Sequence, residues 1–154
     1  MTAIFIDADA CPVRKEAVSV AMRHRVQLHM VSNGGIRPVD HPLVAMVYVD
    51  QGADEADKWI ADQCGPGDVV ATSDIPLAAR CVEAGARVVK PDGTELTTAG
   101  IGHALAMRDL AADLRAADPF RAGSGRAFGP RDRAQFSQTL DRLVIAGMRV
   151  SPRP

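Results

Sequence analysis

At 154 residues, 47% hydrophobic and 24% charged, the chain is the size of one globular domain and can bury roughly two thirds of its unfolded surface. Only 4% is aromatic, so the core must come from Val, Leu, Ile and Ala, and the longest strongly apolar run, residues 43–49, is far too short to span a bilayer. The net charge of −1 conceals an asymmetry. Residues 1–107 carry 9 Lys and Arg against 14 Asp and Glu, whereas 108–154 carry 9 Arg against 5 Asp, a weak pointer to a phosphate-containing partner.

Along the chain, "AIFID" reads as a first strand, and Pro12 suits the first position of a helix whose apolar face holds Val13, Ala17, Val20 and Ala21. "VQLHMV" (26–31) is a second strand, ended by Ser32-Asn33-Gly34-Gly35, and "LVAMVYV" (43–49) is a third. Ala56, Trp59, Ile60 and Cys64 line one face of the next helix, which Gly65-Pro66-Gly67 terminates. "DVVATS" (68–73) is a fourth strand, followed by a helix entered at Pro76 and closed by Gly85; "RVVK" (87–90) is a short fifth. A helix over 97–117 carries Met107, Leu110, Ala111 and Leu114 as an apolar stripe. A Gly/Pro/Arg-rich loop at 118–130 precedes a last helix, 131–148, with Phe136, Leu140, Leu143, Val144 and Gly147 on one face.

Strands alternating with helices predict a parallel sheet covered on both sides. The third and fourth runs are apolar without alternation, as expected of strands buried on both faces. The expected fold is a three-layer α/β/α sandwich around about five strands, with residues 1–95 as the core and the C-terminal helices (96–150) as an addition. Cys11, Cys64 and Cys81, odd in number and without a CxxC spacing, read as reduced thiols of a cytoplasmic protein. Asp7 breaks the N-terminal apolar run before it could serve as a signal-peptide core.

In such a sheet, ligands bind outside the carboxyl ends of the strands. Asp7 and Asp9 follow strand one, Asp50, Asp54, Glu55 and Asp57 follow strand three, Asp74 follows strand four and Asp92 strand five. Each alone is accounted for as a helix cap or a first-turn acid, a role that fits Asp54 and Asp74 well. Together they would repel and raise one another's pKa unless a cation neutralises them, and oxygen-only ligands point to Mg²⁺ or Mn²⁺. Such a site polarises a phosphoryl oxygen and activates water. Ser32 and Asn33, at the end of strand two, could orient a phosphate or simply form a turn. Arg126, Arg131 and Arg133 could hold a phosphate backbone or be solvated. Cys11 reads as a helix cap or a packed small residue, and His24, His29, His41 and His103 lack metal-ligand spacing.

The segments "DADACPVRKEA", "GADEADKWI", "ATSDIPLAAR" and "GPRDRAQFSQTLDRL" resemble, in order and over nearly the whole chain, the signature blocks of the YaiI/YqxD family of uncharacterised bacterial proteins. That family is similar to PIN-like nuclease domains. The resemblance implies a single PIN-like domain over 1–154, with metal on Asp7 and Asp74 and acids from Asp54 to Asp57 completing the site. The second aspartate of "DAD", the Cys-Pro after it and the C-terminal helices depart from the usual PIN pattern.

Three functions stay open. The first is a nuclease acting on RNA, with Mg²⁺ or Mn²⁺ on Asp7, Asp9 and Asp74 and catalytic acids at Asp54 and Asp57. The second is a haloacid-dehalogenase-like phosphatase using Asp7 as nucleophile and Asp9 as general acid, with Lys58 and Asp74 completing the set. The third is a non-catalytic RNA- or nucleotide-binding module. The expected partner is RNA or another phosphate-containing substrate and not a membrane, with a homodimer left open.

Overall fold

The computed structural model describes residues 2–9, 11–52, 54–117 and 128–150. In chain order the elements are β1 (Ala3–Asp7), α1 (Arg14–His24), β2 (Gln27–Ser32), β3 (Val44–Tyr48), α2 (Glu55–Gln63), β4 (Val69–Ala71), α3 (Ile75–Glu83), β5 (Arg87–Val89), β6 (Glu95–Leu96), α4 (Thr98–Ala117) and α5 (Pro130–Val150). The strands form one sheet in the order β3-β2-β1-β4-β5-β6. All neighbours are parallel except β6, which turns back antiparallel on β5 and adds one short strand to the five expected.

Burial on both faces explains why the central strands lack polar alternation. Ile4 and Ile6 of β1, with Leu28, Met30, Val69 and Ala71, pack under α1 and α5. Phe5, Val31, Val70 and Val88 point the other way, against α2, α3 and the start of α4. The chain is thus a three-layer α/β/α sandwich. Its C-terminal helix is no appendage: Phe136, Leu140, Leu143 and Val144 of α5 are fully buried beside α1 and supply half of one layer.

Three details differ from the sequence expectations, and the histidines gain partners. The third run is as apolar as a central strand, yet β3 lies at the sheet edge with Tyr48 54% exposed, because the chain leaves it to cross back to β4. Pro12 precedes α1 by two positions; the first helical bond runs from Ala17 N–H to the Val13 carbonyl, and the Pro12 carbonyl instead accepts from Arg133. The α4 stripe stays exposed, at 49% for Met107, 50% for Leu110 and 44% for Leu114; among the described residues of the helix, Ile101 and Ala104 at its start pack against the core. The histidines play packing or capping parts: His24 bonds Asp141 at 2.7 Å, His41 Nδ1 accepts from Leu43 N–H, and His29 stacks on Phe5. Among the described residues, no helix is long and apolar enough to cross a membrane.

At Gly147 the α5 backbone lies close against the turn before β4. A β-carbon there would run into the Gly67 carbonyl in the turn before β4, and backbone cannot yield as a side-chain end can. Gly147→Ala is therefore expected to cost about 1–3 kcal/mol despite the better helix propensity of alanine. A urea midpoint equal to or above that of the wild type would show that α5 packs more loosely than this.

Candidate functional site

The sheet has its topological switch point between β1 and β4. From β1 the chain moves to β2 on one side, and from β4 to β5 on the other, so the connections diverge and leave a crevice at the carboxyl edge. Asp7 is the last residue of β1, and register places it beside Val31 of β2, with Ile6 beside Ala71 of β4. Thr72, Ser73 and Asp74 follow at once. Asp7 and Asp74 therefore reach the same edge from the two strands that flank the crevice.

Thr72 ties them together. Its side chain is fully buried; the hydroxyl donates to Asp7 Oδ2 at 3.3 Å and accepts from the Asp74 backbone N–H at 3.0 Å. Asp74 then caps α3, Oδ1 accepting from Leu77 N–H at 3.0 Å, with Pro76 in the first turn where its missing N–H is harmless. Asp57, in the first turn of α2, brings its carboxyl within hydrogen-bonding reach of Asp74. Asp54 occupies the N-cap position of α2 but makes no side-chain cap bond, which differs from the capping role its sequence position suggested. Its backbone is left-handed at φ 73°, a conformation aspartate tolerates better than most residues, and its carboxylate is not spent on the helix.

The electrostatics follow from this crowding. Burial raises the pKa of Asp7; the Thr72 hydroxyl counters it, and the charges of Asp74 and Asp9 push it up again. Asp57 is pushed up to about 7, first by burial, then by the charge of Asp74 and the hydrogen bond to it, then by Asp7 and Asp54. Near neutral pH the Asp57–Asp74 pair thus holds a proton for much of the time. Cys11 is buried beneath, its thiol donating to the Ala71 carbonyl at 3.6 Å; burial and then the charge of Asp7 push it up to about 12, so it packs as a neutral side chain.

Asp9 serves a different loop. Its two oxygens accept from Ser32 Oγ at 2.9 Å and Asn33 N–H at 2.8 Å, while Ser32 Oγ accepts in turn from Gly34 N–H. Ser32 and Asn33 thus fasten the start of the β2–β3 connection to the β1 loop. Arg133 is also engaged: it donates to the Pro12 carbonyl at 2.7 Å and Glu16 at 2.9 Å, and lies over the Phe128 ring. It holds the start of α5 against α1. Arg131 is exposed in the first turn of α5, and Arg126 lies outside the described residues, with most of the glycine-rich loop. Lys58 is 60% exposed and pairs with Glu55, and Asp92 accepts from Thr94 N–H in the β5–β6 turn.

The fold therefore brings Asp7, Asp54, Asp57 and Asp74 into mutual electrostatic range, with Asp9 beside them. Among the described residues, no three His, Cys, Asp or Glu side chains close into a ready-made metal cluster. Sequence reasoning passed over Thr72, although a hydroxyl residue two positions before a capping aspartate is a signal for just such a turn. It also passed over Arg14, whose guanidinium reaches back at 3.4 Å to the carbonyl of Ala8, the residue between the two aspartates of "DAD".

No solved structure matches the chain. A family model described as "Uncharacterized BCR, YaiI/YqxD family" matches residues 5–146. The UPF0178 protein RD1_0321 of Roseobacter denitrificans is 63% identical over 144 residues, 94% of this chain and 95% of that protein. A UPF0178 protein of Parvibaculum lavamentivorans is 51% identical over 152 residues, 99% of each chain. The matched span runs from β1 through the acids of α2 and α3 into α5, and on that coverage the chain belongs to the YaiI/YqxD (UPF0178) family.

Proposed function

We propose that the protein is a divalent-metal-dependent phosphodiesterase of PIN-like type that acts on RNA, with Asp7, Asp57 and Asp74 at its centre. The observation that carries this reading is the convergence of Asp57, Asp74 and the buried Asp7 at the switch point, where burial and their crowding push Asp57 up to about 7. Carboxyls crowded in this way are stabilised by a proton or by a cation, and a set of carboxylate oxygens suits Mg²⁺ or Mn²⁺. Such an ion, when bound, polarises the phosphoryl oxygen and eases deprotonation of the attacking water.

The remaining work belongs to the chain. Thr72 fixes the orientation of Asp7 through its hydroxyl, and Leu77 N–H fixes that of Asp74. Asp57, in the first turn of α2 beside Asp74, is the carboxylate that would take up the proton of the attacking water. Asp54, uncommitted to its helix, is the carboxylate best placed to complete the ligand set. The phosphatase reading is less well served, because both oxygens of Asp9, its general acid, are already engaged by Ser32 and Asn33 in holding the β2–β3 connection.

Thermal unfolding with and without metal, paired with an RNA cleavage assay, tests the reading. Mn²⁺ at about a hundred times its Kd would stabilise by about 2.7 kcal/mol, a rise in Tm of roughly 5–10 °C that EDTA reverses. Cleavage of single-stranded RNA should appear under the same conditions. A protein whose Tm ignores both Mg²⁺ and Mn²⁺, and which cleaves no RNA with either, is not this enzyme.

A further inference from the structure

The β2–β3 connection crosses between parallel strands without a helix and lays residues 36–39 against the start of α1. Between them lies a cavity of about 460 Å³ lined by Arg14, Lys15, Val18, Arg37, Pro38 and Val39. Three cationic side chains and three apolar ones face it, and among the described residues no acid lines it. A second cavity of about 410 Å³ shares Arg14 and Lys15 and continues past Pro12 to Glu16 and Arg133. Each lies in the size range of small-ligand sites, about 300–1,000 Å³. Arg14 links this surface to the acids through its bond to the Ala8 carbonyl, directly after Asp7.

We infer that the two adjoining cavities form the track along which the backbone of a single-stranded nucleic acid runs toward the acidic crevice, with Arg14, Lys15 and Arg37 taking its phosphates. The inference rests on the phosphodiesterase reading and deepens it by placing the strand on α1 and the β2–β3 connection, with Arg133 of α5 at its border. Two features favour a strand over a single anion. The cationic groups extend over two cavities, a length that spaced phosphates match and an isolated phosphate does not. The apolar wall of Val18, Pro38 and Val39 offers a dry surface for a base or ribose beside the charge. Arg133 plays a lesser part, because Glu16 and the Pro12 carbonyl already occupy it.

Lys15 and Arg37 are exposed, so reversing them tests the track with little risk to the fold. Binding of a fluorescein-labelled single-stranded 12-mer RNA is followed by anisotropy over a salt series, in EDTA so that cleavage does not intervene. Lys15→Glu with Arg37→Glu should bind at least about tenfold more weakly and with a shallower salt slope, by about 0.7 per lost phosphate contact. Its Tm should stay that of the wild type. The inference is overturned if the wild type does not bind the oligonucleotide or if the double variant binds it equally well. It is equally overturned if uridine monophosphate competes as well as the 12-mer, which would assign the cavity to a free nucleotide, or if a poly-glutamate peptide does. Binding lost in the double variant, with no cleavage by the wild type in Mn²⁺, would keep the track and remove the nuclease. Cleavage unaffected by the double reversal would keep the nuclease and remove the track.

Discussion

Asp7→Asn is expected to reduce metal-dependent RNA cleavage by at least about a hundredfold while leaving the protein as stable as the wild type, or more so. The two effects share one cause. Asp7 is 6% exposed, and its charge is opposed by burial and by the charges of Asp74 and Asp9, with the Thr72 hydroxyl as a counterweight at a long 3.3 Å. An asparagine keeps an oxygen for Thr72 and turns an NH₂ toward the neighbouring carboxylates, so a repulsive charge is replaced by a donor. Relief of that repulsion should contribute on the order of 1 kcal/mol at neutral pH. A neutral amide is also a far poorer ligand for a hard cation than a carboxylate, and loss of such electrostatic preorganisation typically costs about 10²–10³ in rate. Urea unfolding and the cleavage assay separate the two consequences. Cleavage within tenfold of the wild type would remove Asp7 from the metal site; lost cleavage with a lowered urea midpoint would make the loss one of folding.

Such a pairing of greater stability with lost activity is what a site under electrostatic strain produces. It also indicates which parts of this protein were legible in its sequence. The strands and helices were, because burial on both faces leaves unbroken apolar runs and helix periodicity survives in α1, α3 and α5. The acids at strand ends followed from the general rule for parallel sheets. What single-sequence reasoning lacked was strand order. The reversal that puts β4 directly beside β1 is what brings Asp74 to Asp7, and no local pattern encodes it. Strand order likewise exposed β3, whose composition is that of a buried strand. Side-chain commitments were the other gap. Asp9 and Asp54 are both aspartates beside a turn, yet Asp9 is consumed by Ser32 and Asn33 while Asp54 is left uncommitted by its own helix. Arg133, read as a phosphate contact or a solvated charge, spends its guanidinium on Pro12 and Glu16, whereas Arg14 and Lys15, given no role from the sequence, line a cavity with the β2–β3 connection.

The pH dependence of stability isolates the Asp57–Asp74 pair. In the folded protein Asp57 titrates at about 7, against about 3.9 for an unperturbed aspartate, so the folded state holds this proton more tightly than the unfolded chain. Stability from this group is therefore fully present below about pH 4 and is lost as pH rises toward and through 7. The groups acting on Asp57 are Asp74, Asp7 and Asp54, all acids, and the adjacent Lys58 is turned to Glu55, so no cation on α2 reverses the sign. Other groups titrate in the same range, but they cancel in the difference between the wild type and Asp57→Asn. That difference should move in favour of the variant between pH 5 and pH 8, by on the order of 1–2 kcal/mol once the solvent reaching a half-buried carboxyl is discounted. A difference that stays flat over this interval would mean that Asp57 and Asp74 share no proton. Saturating Mn²⁺ should itself flatten the slope of the wild type, because a cation replaces the proton as the neutralising charge and holds Asp57 ionised throughout. A slope that Mn²⁺ leaves untouched, in a protein that Mn²⁺ nevertheless stabilises, would place the ion away from Asp57 and leave the other acids of the crevice, Asp7, Asp74 and Asp54 first among them, as its candidate ligands.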